Sequence, residues 1–150
     1  MLYFFLLMAL STEASRYPIQ NVPRNVKDSI LDGNWKNTLG SNVTFKAVDG
    51  MITGHYQTAV VSGEKSDLPP VTPLFGTYQA TADGLLVTFN VQWVFSDKLG
   101  NTKQSATTWI GKLYFSTPTV FDTTWLLLSD KEAPQAWSSV TTNKDTFLKV

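Results

Sequence analysis

Little in this chain is equipped for covalent chemistry. It has no cysteine and a single histidine, His55. A thiolate nucleophile, a disulfide and a thiolate metal site are excluded. No HExxH or GxSxG pattern and no metal-spaced cluster occurs. Asp145 has no second carboxylate in view for paired acid–base work, so no catalytic residue is assigned. What recurs instead is a hydroxyl, amide or carboxylate in a period-two file with an aromatic ring: Trp35, Asn37, Leu39, Ser41; Tyr56, Thr58; Ser105, Thr107, Trp109; Asp145, Phe147. The chemistry open to such groups is non-covalent. They can hydrogen-bond a small polar guest held between indoles.

A spacing of two is that of a β-strand, whose side chains alternate faces. Period-two segments bounded by turn signals run from Gly33 to the end. They are GNWKNTL, NVTFKAV, MITGHYQTAV, PLFGTYQ, LLVTFNVQWVF, SATTWIGKLYF, VFDTTWLLLS and SSVTTNKDTFLKV. Asp49-Gly50 marks a tight hairpin, and Pro69-Pro70 must lie between strands. No convincing amphipathic helix is present. Eight sequential strands predict an all-β fold, an eight-stranded antiparallel up-and-down β-barrel, because closure removes exposed edges. A sandwich would need two apolar inner faces, and the Trp-bearing faces here are too polar. Burying such groups without partners costs about 1–3 kcal/mol each, so they must satisfy one another, or water, or a ligand.

Formal net charge is zero and 16% of residues are charged. That argues against a nucleic-acid surface. The apolar run at 2–10 is too short for a membrane helix. Followed by small residues at Thr12 and Ala14, it reads as a signal peptide over 1–14 and a secreted, extracellular product. Residues 15–30 read as a Pro-punctuated flexible leader, and 31–150 as the barrel. Asn42-Val43-Thr44 is an N-glycosylation sequon with Asn42 as acceptor.

GNWKNTLGSNVTF, ITGHYQTAV, FNVQWVFS, SATTWIG, TTWLLLS, AW and KDTF resemble, in order and near spacing, the successive motifs of the avidin–streptavidin family of biotin-binding proteins. The resemblance covers 31–150. It implies a non-catalytic barrel that holds biotin, or biotinylated molecules, with no metal and no cofactor beyond that ligand. It implies that Asn37, Ser41 and Tyr56 donate to the ureido oxygen, and that Asp145 accepts one ureido N–H and Thr58 the other. Thr107 would meet the ring sulfur. Ser105 and Ser62 would bind the valerate carboxylate. Trp93, Trp109 and Trp125, with Leu39 and Leu127, would line the pocket, and Trp35 would plug the closed end. Trp137 would enter a neighbouring subunit's pocket, which implies a homotetramer built as a dimer of dimers. The connection after Val60 is longer than in a bacterial member of that family. Vitamin sequestration, possibly in defence, is the role such binding suggests.

Two other readings fit a secreted barrel. One is a lipocalin-like carrier of a lipophilic molecule, which leaves Asn37, Ser41, Tyr56, Thr58 and Asp145 unexplained. The other is a structural or interaction barrel that has lost its ligand.

Overall fold

A computed structural model describes residues 24–60, 70–96, 100–130 and 139–150. One helix, α1 (Arg24–Leu31), precedes eight strands: β1 (Gly33–Asn37), β2 (Asn42–Val48), β3 (Met51–Gln57), β4 (Thr72–Ala80), β5 (Gly84–Ser96), β6 (Thr102–Tyr114), β7 (Val120–Ser129) and β8 (Val140–Lys149). Each strand pairs antiparallel with the next, and β8 returns to β1 to close the barrel. This is the eight-stranded antiparallel up-and-down β-barrel that the alternation predicts. The Asp49-Gly50 hairpin has positive φ at both central residues, 50° and 86°, as a two-residue turn matched to strand twist requires.

Parity places the aromatic core. Trp35, Phe45, Phe89, Phe121 and Phe147 all point inward and are buried. Trp35 meets Phe45 and Phe121 edge-on, with centroids 6.4 and 6.3 Å apart, a geometry suited to ring quadrupoles. Room for the rings comes from glycines on adjacent strands. Gly54 faces Phe45 and Gly76 faces Phe89 in register. A Cβ at either position would fall 1.9 or 2.1 Å from a neighbouring carbonyl oxygen.

Helix α1 corrects the expectation of a leader without helix. It lies against the closed end, where Leu31 is fully buried. Trp35 Nε1–H donates to Leu31 O at 2.8 Å. Lys149 Nζ, from the last strand, donates to Ser29 O and Ile30 O at 3.2 and 2.9 Å, satisfying carbonyls that a helix end leaves orphaned. The Tyr78 hydroxyl donates to the Asp28 carboxylate. Asp32, just past the helix, accepts from Ala47 N and pairs with Lys46. Trp35 and Leu31 thus floor the barrel.

Candidate ligand pocket

Above the aromatic floor the lumen turns polar. Strand β1 carries Asn37 at its end, β3 carries Tyr56, and β8 carries Asp145; all are buried. Asn37 Nδ2 donates to Asp145 Oδ2 at 2.9 Å and to Tyr56 Oη at 3.3 Å. Its Oδ1 accepts from Ser41 N at 2.8 Å. An amide group has two N–H hydrogens, and both are taken. Asn37 therefore ties β1, β3 and β8 together at this level of the lumen.

Free valences lie on those neighbours. Ser41 Oγ accepts from Ala59 N at 3.1 Å and stands beside the Tyr56 phenol. Tyr56 Oη already accepts from Asn37. Both hydroxyls accept in these contacts, so their own O–H hydrogens remain to be donated. The phenol's pKa is raised by burial first, with Ser41 opposing and the Asp145 charge adding to the rise. Tyr56 is therefore a protonated donor at neutral pH.

Asp145 is the acceptor. Its Oδ1 is buried and makes no hydrogen bond. Burial raises its pKa above the ordinary 3.8, opposed by the Asn37 amide and then by the Trp109 indole. Trp109 Nε1–H is also buried without a hydrogen-bond partner. Thr123 Oγ1 donates to Asp145 O at 2.9 Å and fixes that stretch of β8.

The walls are aromatic. Trp109 lies between Phe89 and Tyr56, with centroids 4.8 and 5.0 Å away. Trp93 meets Tyr56 edge-on at 5.4 Å and donates through Nε1 to Thr107 Oγ1 at 2.8 Å, which leaves the threonine's own O–H available. Trp125 and Leu127 are half-buried, in register with Trp109 and Thr107. Ser105, also half-buried, sits one rung outward opposite Trp93.

Two expected residues are not brought into this cluster. Leu39 is 55% exposed. Strand β1 stops at Asn37, and Gly40, at φ 91°, closes a turn through its N–H to Asn37 O at 3.0 Å. The alternation that predicted an inward Leu39 ends there. Thr58 follows the end of β3, and its hydroxyl is engaged by Val60, donating to O at 3.2 Å and accepting from N at 3.1 Å. Ser62 and Trp137 lie outside the described residues. Asn42 is exposed at the start of β2, and His55 is exposed on the outer face of β3. Among the described residues, no group of three His, Cys, Asp or Glu side chains could hold a metal.

The residue-by-residue reading passed over three groups that parity nevertheless places inward. Thr123 anchors Asp145, Phe89 backs Trp109, and Phe95 stacks on Trp93 at 6.0 Å. Each shares a face with a pocket residue, and that shared face was the available signal.

An up-and-down barrel with indole walls and convergent hydrogen-bonding groups at mid-depth is the architecture with which eight strands can hold one small ligand. Residues 25–150 match the model of the Avidin family, and the chain belongs to that family. It is 30% identical over 125 residues to Avidin-related protein 4/5 of Gallus gallus, covering 80% of this chain and 77% of the relative. Among solved structures it is similar to the crystal structure of Xenavidin, with TM-score 0.68 and 29% identity over 80% of this chain and 97% of that one. It is also similar to the X-ray structure of a biotin binding protein from chicken, with TM-score 0.69 and 29% identity over 83% of this chain and 98% of that one.

Proposed function

We propose that this protein binds biotin reversibly and without catalysis in the barrel lumen. The observation that carries the reading is the buried Asn37–Tyr56–Asp145 cluster. It presents a hydroxyl donor and one unpaired carboxylate oxygen, with the Trp93 and Trp109 rings packed against Tyr56. A cyclic urea has the opposite pattern, a carbonyl oxygen flanked by N–H groups. Asp145 Oδ1 accepts one N–H, the Ser41–Tyr56 pair donates to the oxygen, and Thr107 meets the ring sulfur. Ser105, with Ser62, receives the acid tail. Trp125 and Leu127 complete the wall, and Leu39 and Thr58 join once a guest is present. Membership of the family and likeness to a biotin binding protein support this reading.

The assembly we propose is a homotetramer, a dimer of dimers in which Trp137 reaches a neighbouring pocket. An exposed apolar strip on the outer sheet, with Leu126, Leu128 and Val140 on adjoining strands, supports an interface. The same proposal has residues 1–14 as a signal peptide, 15–30 as a leader that runs into α1, 31–150 as the barrel, secretion, glycosylation at Asn42 and vitamin sequestration as the role.

The test is titration of purified protein with biotin, followed by tryptophan fluorescence. Saturation at one equivalent per chain is expected. No response from an intact protein would leave a barrel that has lost its guest. A response to lipophilic molecules but not to biotin would make it a carrier of another kind.

A further inference from the structure

Lys103 occupies a position that the reading of the pocket does not use. Ser105, Thr107 and Trp109 form the inward file of β6, and Lys103 continues that file outward by one step. Along a strand that step is about 6.8 Å. Across the ladder Lys103 pairs with Phe95, as Ser105 pairs with Trp93. Phe95 is half-buried and stacks on Trp93 with 16° between planes. The lysine therefore stands on the rim above the Ser105 rung, at the end of the aromatic wall.

Among the described residues its charge has no partner: the ion pairs there are Lys46–Asp32 and Lys112–Asp83, and Lys103 is in neither. The described groups on the adjoining inward rungs, Ser105, Ser129, Trp93 and Phe95, carry no negative charge. A lysine is a point charge on a flexible four-carbon stem, able to reach across one rung.

We infer that Lys103 pairs with the carboxylate of a guest's tail at the rim and makes the site prefer a free acid to an uncharged amide. The inference rests on the proposed biotin reading and adds a specificity residue to it. An exposed pair of this kind is worth a modest factor, about threefold to fivefold in affinity, and is removed by salt.

The experiment compares biotin with biotinamide on the full-length wild type, Lys103→Met and Lys103→Glu, at about 0.01 M and about 1 M salt, where the screening length falls from ~30 to ~3 Å. Lys103→Met should lose about threefold to fivefold for biotin at low salt and nothing for biotinamide. Lys103→Glu should lose more for biotin alone, and both differences should vanish at high salt. Equal losses for the two ligands, or none for biotin, would overturn the assignment while leaving the pocket reading intact. If the wild type binds neither ligand, the pocket reading fails and the assignment falls with it. Lys103 is exposed, so unchanged melting temperatures should show that the variants fold.

Discussion

The indole of Trp109 lies parallel to the ring of Phe89, with 4.8 Å between centroids and 5° between planes. Phe89 belongs to the core and Trp109 to the pocket wall. The stack therefore couples the packed floor to the surface that a guest touches. Phe89 also meets Phe45 at 5.1 Å, and Phe45 meets Trp35, whose N–H holds the helix. A pocket wall backed by rings in fixed contact is shaped before the guest arrives, which lowers the ordering cost of binding.

Phe89→Leu should keep the barrel and loosen Trp109. Stacked pairs contribute about 0.5–1.5 kcal/mol beyond area burial, so biotin should dissociate roughly twofold to tenfold faster. Phe89→Ala should instead cost about 3–5 kcal/mol of stability through the cavity it leaves. Stopped-flow fluorescence reads the first effect and urea denaturation the second. An unchanged release rate in Phe89→Leu would uncouple floor from wall.

Asp145 sets a pH dependence. Burial holds its pKa above 3.8 in the folded protein, so the folded state binds the proton more readily than the unfolded chain does. The charge costs stability above the raised pKa, and that cost disappears as the pH falls through it toward 3.8. Asp145→Asn should accordingly melt higher than wild type near pH 7 without ligand, with the gap closing on acidification. Ligand affinity should run the other way, because a protonated Asp145 is a poorer acceptor. Wild-type affinity should fall as pH drops toward 3.8 while that of Asp145→Asn stays flat. The variant should release biotin faster at neutral pH by roughly the 1.5–3 kcal/mol of a hydrogen bond to a charged group. Calorimetric titration across this range checks both signs.

Tyr56→Phe removes a donor and leaves Asn37 with an unpaired N–H. A loss of about 1–3 kcal/mol in biotin affinity is expected. Because burial raises the phenol's pKa, wild-type affinity should not decline between neutrality and about pH 10, the ordinary phenol value. A drop below that would show that Tyr56 ionises in place.

Trp35→Phe keeps a ring in the floor and deletes the N–H to Leu31 O. One buried carbonyl is left unsatisfied, so unfolding should become easier by about 1–3 kcal/mol. Hydrogen exchange should rise in α1 before it rises in the strands.

Much of the barrel was legible from parity alone. Asn37, Tyr56, Thr107, Trp109 and Asp145 all lie on the face assigned to them, because alternation holds along an unbroken strand. It failed where strands stop. Leu39 lies beyond the end of β1, in a turn that a left-handed Gly40 makes possible, and Thr58 lies past the end of β3. Helix α1 was hidden for another reason. Its C-terminal carbonyls are capped by Lys149, well over a hundred residues away in the chain, and its end docks through a backbone oxygen on Trp35. Neither contact leaves a local pattern. The proton inventory was equally out of reach, since only coordinates show that Asn37 has spent both hydrogens on Asp145 and Tyr56.

The floor built from Leu31 and Trp35 closes one end of the described barrel, so a guest in the lumen would have to come and go by the other end, past the rung that joins Trp93 to Ser105.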